Sequence, residues 1–264
     1  MEDKINRSNK LFPVFFGLSA DLVFWIIIDM LFLTTVKGLS ASQINSIKAI
    51  ATFLGIIVQF FGINIIRKLG NITSIRIGTI MLFLAQLLNT IGKKFYIFLI
   101  AEILYTIGFV FKDMDSVILL KNLRYKKNDT EYLKYQTRGN VVYSFVTLII
   151  SIVSGFLFNI SPYLPMILGL VICFINILLT LFFYEAPLKE KSDKKYKFSF
   201  NLDKRTLLLI LFCGIFYAMI AVGQRNSKLF IQYDMQKLLT ASKVATYTSS
   251  YPKFFYNIHL FVVC

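Results

Sequence analysis

From residue 11 almost to the end of the chain, long apolar runs alternate with short polar stretches that are mostly basic. Seven runs approach the ~20 residues that a helix needs to cross a bilayer at ~1.5 Å per residue. They are 11–36, 49–66, 75–91, 95–111, 141–160, 163–184 and 207–222. An eighth, over about 244–264, is interrupted by Pro252, Lys253 and His259. The runs are longer than the ~9–11 residues of a barrel strand and do not alternate in polarity. The pattern therefore predicts an all-α integral membrane protein. Ser40 followed by Gln43 predicts a capping box that opens the second helix. Pro162 and Pro165 predict a turn into the sixth.

Composition strengthens this reading. Residues of the AVILMFWYC set make up 56% of the 264-residue chain and charged residues only 16%, against about 25% charged in soluble domains. The net charge of +15 would suggest nucleic acid in a soluble protein. Here the basic residues flank apolar runs, so the expected partner is the lipid bilayer and not nucleic acid. Lys4, Arg7 and Lys10 precede the first run; Arg67, Lys68 and Arg76 flank the turn between the second and third. Further basic groups fill the 121–138 loop and the 185–205 stretch, and fewer lie at the opposite ends. That asymmetry predicts a multi-pass protein of the plasma membrane with a cytoplasmic N-terminus. The basic start resembles a signal peptide, but Asp21 and Asp29 interrupt the run and no small-residue cleavage site follows, which predicts a retained helix.

Catalytic chemistry finds little footing. Cys173, Cys213 and Cys264 show no metal spacing, and His259 is the single histidine, so no metal, cofactor or serine–histidine relay is expected. Neither a Gly-rich phosphate loop nor a GxSxG elbow is present. A membrane-embedded enzyme is thus disfavoured.

The most informative break follows the sixth run. Residues 1–184 hold six spans, 185–205 form a basic cytoplasmic linker, and 206–264 hold a seventh span and an irregular eighth. The turn between the second and third spans reads Gly62-Ile-Asn-Ile-Ile-Arg67-Lys68-Leu-Gly70-Asn71, then Ser74-Ile-Arg76-Ile-Gly78. This layout and turn resemble the major facilitator superfamily of transporters and its Gly-rich basic cytoplasmic loop. Lys68 and Gly70 match the family's pattern, whereas Arg67 stands where the family has Asp and Gly62 is one position out of register. The resemblance implies an N-terminal six-helix half built from two inverted three-helix repeats, followed by the start of a second half. It also implies alternating access around a central cavity lined by the first and fourth helices.

Several acidic residues lie within or at the ends of the runs: Asp21, Asp29, Glu102, Asp113 and Asp115. Each charged carboxylate at a helix centre costs about 2.5–3.5 kcal/mol on insertion scales, so such groups face a cavity or a partner. With the first run rising outward and the fourth inward, Asp29 and Glu102 both fall about 7–8 Å outside the midplane. They are expected to form an acidic pair that holds a proton or a cationic solute group. A neighbouring hydroxyl or amide for each, fixing helix packing alone, is the competing expectation. Asp21 lies about 80° round the same helix from Asp29, so both can border one cavity, and Asp21, Asp29, Glu102 and Asp113 are the expected residues of the substrate or proton pathway. Glu102, Thr106, Phe109 and Asp113 share one face, while Lys112 and Asp115 are spaced for a local salt bridge.

The expected function is secondary transport of small solutes, coupled to H+ or Na+, by a truncated member inactive on its own. The alternative is a non-catalytic membrane subunit or half-transporter acting in a complex. The missing C-terminal half, or a second copy of the chain, would supply the rest of the binding site. The composition of the tail fits a shifted reading frame.

Overall fold

The computed structural model describes residues 1–187 and a few isolated positions between 203 and 227. The linker beyond 187, the seventh span and the irregular tail otherwise lie outside the described residues. Among the described residues all regular structure is helical, with no strand. In order these are α1 (Glu2–Ser19), α2 (Trp25–Leu31), which continues as a π-helical turn (Phe32–Val36), α3 (Ala41–Leu69) and α4 (Asn71–Ile91). Then come α5 (Phe95–Lys112), α6 (Met114–Tyr125), a 3-10 turn (Asp129–Glu131), α7 (Tyr132–Ile160) and α8 (Leu164–Thr180). Among the described residues four segments are long and apolar enough to cross a membrane: Ala41–Gln59, Asn71–Ile91, Phe95–Tyr125 and Asp129–Ile160. This helical body, with Phe53, Phe145, Phe156 and Phe174 on its outside, is that of a membrane protein.

The helix boundaries follow local chemistry. The expected capping box opens α3: the Gln43 amide donates to Ser40 Oγ at 3.2 Å, and the Ser40 amide donates to Gln43 Oε1 at 2.9 Å. Gly70, at φ +83°, both ends α3 and starts α4. A side chain would be strained there, which is why a single residue can reverse the chain. α3 and α7 each begin well before their apolar runs. Hydropathy marks the part of a helix immersed in hydrocarbon, whereas backbone hydrogen bonding continues into water without penalty.

The first run departs most from expectation. It is not one helix over 11–36: it breaks at 20–24, between α1 and α2. The Asp21 carboxylate accepts the Leu22 amide at 2.8 Å, offering the backbone a local partner in place of the helical one. The fourth run is a single helix, α5, and just beyond it Asp113 alone separates α5 from α6. The Asp115 carboxylate takes the Ser116 amide at 2.5 Å in the first turn after the break.

The chain runs up and down between two ends. At one end Tyr184 donates its amide to Ser8 Oγ (3.2 Å), and buried Asn122 joins α6 to Asn9 (3.1 Å) and to the Tyr184 carbonyl (2.8 Å). Glu185 accepts from Asn71 (2.7 Å) and Lys121 (3.0 Å) at that same end. At the other end the Lys37 ammonium donates to the Thr90 carbonyl at 2.7 Å and lies over the rings of Phe32 and Tyr163. Laterally, α4 packs on α5 and α8, α3 on α5, and α1 on α7. α2 sits inside: Trp25, Ile28, Leu31 and Phe32 are all essentially inaccessible.

Small residues set the closest crossings, as expected where lipid supplies no hydrophobic drive between helices. A Cβ added at Gly78 would lie 2.5 Å from the Lys112 amide nitrogen and 2.7 Å from the Gly108 carbonyl oxygen. At Gly62, in contrast, the nearest atom is a Val110 methyl at 3.3 Å. Gly78→Val should therefore force α4 from α5 and cost about 1–3 kcal/mol, the usual range for overpacking. Gly62→Ala should cost much less. Thermal unfolding of the two variants in detergent checks the order.

Candidate functional site

α2, α3 and α5 each contribute one charged group to a buried cluster. Lys48 on α3 places its ammonium 2.7 Å from a Glu102 oxygen on α5 and 3.8 Å from an Asp29 oxygen on α2. The side chains are 12%, 8% and 9% exposed respectively, so all three charges are largely removed from water. The ammonium also lies 6.0 Å from the Trp25 ring and 5.9 Å from that of Tyr105, distances at which aromatic faces add attraction for a cation. Thr106, one turn beyond Glu102, donates to the Glu102 carbonyl at 2.9 Å and leaves the carboxylate to the lysine.

Asp29 and Glu102 thus converge, but on a lysine between them. Lys48 precedes the apolar run that starts at 49 and was not among the expected site residues. Extension of α3 back to Ala41 places it within a helix. Ile44, Ile47 and Ala51 are buried, and Lys48 lies one turn after Ile44 on the same inward stripe. That i, i+3, i+4, i+7 spacing was the available signal.

Asp21 sits in the break between α1 and α2 and accepts the Tyr105 hydroxyl at 2.7 Å. Tyr105 therefore touches both systems, with its hydroxyl on Asp21 and its ring beside Lys48. Asp113 does not join them: its side chain is 64% exposed and pairs with Lys112 at 3.2 Å. The spacing of Lys112 and Asp115 does produce a buried pair, at 3.5 Å with side chains 2% and 1% exposed. The rings of Phe16 and Phe109 flank that ammonium, each 5.6 Å away. Arg67, Lys68 and Gly70 are exposed at the far end of α3, about 30 Å from Lys48 at 1.5 Å per residue. They belong to the turn and not to the cluster.

The Asn9–Asn122 contact was not anticipated, since neither residue lies in an apolar run. Both are buried, and Asn122 Oδ1 accepts the Ala186 amide at 2.8 Å, so the pair fastens the chain after α8 to α1 and α6. Gln86 reaches from α4 to the Met166 carbonyl on α8 at 3.4 Å. Among the described residues no group of three or more His, Cys, Asp or Glu side chains is arranged to hold a metal.

The cluster carries one positive and two negative charges when all three groups are ionised. Removing one member of a buried ion pair leaves an uncompensated charge and costs about 3–5 kcal/mol. Lys48→Met removes the ammonium that both carboxylates share and should fall in that range. Glu102→Gln leaves Lys48 with Asp29 and should cost clearly less. Unfolding of purified variants checks this; a greater loss for Glu102→Gln than for Lys48→Met would contradict the charge assignment. No protein-family model, curated protein or solved structure matches this chain.

Proposed function

We propose that residues 1–184 are the N-terminal six-span half of a secondary carrier of small solutes, of the major facilitator type. In this reading Asp29, Glu102 and Lys48 form the site at which a proton or a cationic solute group is exchanged. The observation that carries it is the lysine held between two carboxylates on three different helices. Such a cluster keeps two carboxylates and one ammonium largely away from water, where a change of charge is costly. A proton or a monovalent cation at either carboxylate makes such a change. If either carboxylate is neutralised, Lys48 keeps the other as its partner, so occupancy and helix position are tied together.

Helix packing supports the same reading. Counted as spans, α1 with α2 is the first, α3 the second, α4 the third, α5 with α6 the fourth, α7 the fifth and α8 the sixth. Exchanging spans one to three with four to six turns the second–fourth contact into the fifth–first contact. It also maps the third–sixth contact onto itself. All three pairings are present as α3 on α5, α7 on α1 and α4 on α8, as inverted repeats require. The basic residues Lys4, Arg7, Lys68, Lys121 and Arg124 gather at the end that holds Asn9 and Asn122. The positive-inside rule makes that end, and the N-terminus, cytoplasmic in the plasma membrane. A second half, or a second copy, would close the cavity from the other side, and the solute is a small cation such as an organic amine.

Flux measurements test the proposal. Membrane vesicles containing the full chain, loaded with a pH-sensitive dye, should show proton movement on addition of organic amines. Glu102→Gln and Asp29→Asn should each slow it by about tenfold or more, equivalent to about 1.4 kcal/mol in the limiting step. Folded, inserted protein that gives no amine-dependent flux, or flux indifferent to both substitutions, would remove the reading. Topology offers a separate check: a cysteine at Asp129 should react with an impermeant maleimide only from the cytoplasmic side, and one at Ser161 only from outside.

A further inference from the structure

Beyond α8 the chain leaves helical geometry, and residues 183–187 have no regular structure. Side chains of other spans meet its backbone instead. The Tyr184 amide donates to Ser8 Oγ on α1 at 3.2 Å. On α6, the Asn122 side chain donates to the Tyr184 carbonyl at 2.8 Å and accepts the Ala186 amide at 2.8 Å. Glu185 adds α4 and α6 again, through Asn71 and Lys121. Beneath these bonds Phe183 is buried among Phe15, Ile75 and Ile118, with its ring edge-on to that of Phe15 at 4.9 Å. One short segment thus joins the first, third, fourth and sixth spans.

These ties differ in kind from the contacts farther along the bundle. At Gly78 the backbone of α4 lies against that of α5, and at membrane depth nothing can substitute for a lost contact of that sort. At the end of the bundle water is at hand: the side chains of Lys121 and Glu185 are 19% and 22% exposed. There water can replace a hydrogen bond at small net cost. A helix that moved away would carry its backbone bonds with it, whereas this segment exchanges them. Two arrangements satisfy its backbone, one bonded to α1 and α6 and one hydrated. Phe183, 5% exposed, favours the bonded one through the apolar surface it hides.

We propose that residues 183–187 are a latch on the end of the bundle that holds the N-terminus. Bonded, the latch keeps α1, α4 and α6 together there and covers the cluster of Phe15, Ile75 and Ile118. Released, it opens that end to water while the rest of the bundle keeps its packing. The basic stretch 188–205 follows directly in the sequence, so the latch is also the point at which that stretch is fastened to the helices. The latch does not depend on the carrier reading, and a chain that moves no solute would still have it.

The test is the rate of maleimide labelling of the full chain in detergent, with Cys173, Cys213 and Cys264 replaced by alanine. Two reporters on α4 are compared, Ile75→Cys beneath Phe183 and Thr90→Cys at the opposite end. Both positions are buried, so both should label slowly while the latch is intact. Asn122→Leu removes both bonds from α6 to the latch and should raise the rate at position 75 by about tenfold or more, with position 90 unchanged. Glu185→Ala should give a smaller rise at the same place. Should Asn122→Leu fail to fold, Glu185→Ala combined with Ser8→Ala decides. An unchanged rate at position 75 overturns the proposal, and so does an equal rise at both positions, which is general loosening.

Discussion

Hydrocarbon offers no hydrogen bonds, and most of what this chain does follows from that. Every backbone donor and acceptor at membrane depth must be satisfied within the protein, which leaves helices as the described structure. The same constraint makes each departure from regular helix informative. Where α1 stops at Ser19, the Asp21 carboxylate takes the Leu22 amide and Asn176 takes the Leu18 carbonyl. Where α5 gives way to α6, Asp115 takes the Ser116 amide. In both places an acidic residue near a break serves the backbone first, and only then is it available for anything else.

Charges obey the same rule more severely. Lys48 and Lys112 are both removed from water and each has two carboxylates within 4 Å, but the two arrangements differ in kind. Lys112 draws on its own neighbourhood, Asp113 and Asp115, and one of these is exposed, so solvent screens part of the imbalance. Its position is fixed within one stretch of chain. Lys48 draws on Asp29 and Glu102, which stand on two other helices and are both buried. A change at any of the three therefore alters contacts among α2, α3 and α5 together. A local pair serves folding; a cluster shared by three helices can report occupancy.

How much of this was legible in the sequence depends on the length of chain over which the relevant pattern extends. The apolar runs of α3, α4, α5 and α7 were plain because lipid thickness imposes about 20 residues on each, and the Ser40–Gln43 box was plain because capping is local. The common depth of Asp29 and Glu102 came from the rise per residue alone. The break at 20–24 was not readable, because the run stays apolar through Leu22, Val23 and Phe24; hydropathy does not register a side chain competing for a backbone amide. Lys48 was passed over for a related reason. It precedes the apolar run, and only the buried stripe of Ile44, Ile47 and Ala51 shows that the inward face begins earlier. Asn9 and Asn122 lie outside the runs altogether, so their pairing depended on knowing which ends meet.

Severing α1 from α2 changes what the centre of the bundle can do. α2 is a seven-residue helix, with the Asp21 break before it and a π-helical turn after it, and π turns within α-helices are frequent at functional sites. It carries Asp29, which pairs with Lys48, and Trp25, whose ring lies beside the same ammonium. A continuous span would hold Asp29 at a depth and angle fixed by the whole of 11–36. With the break, its placement depends on the break itself, where Asp21 holds Tyr105, and on the charge balance around Lys48. Tyr105 touches both, through its hydroxyl at Asp21 and its ring at Lys48. The break and the Lys48 cluster therefore bear on one short helix from two sides.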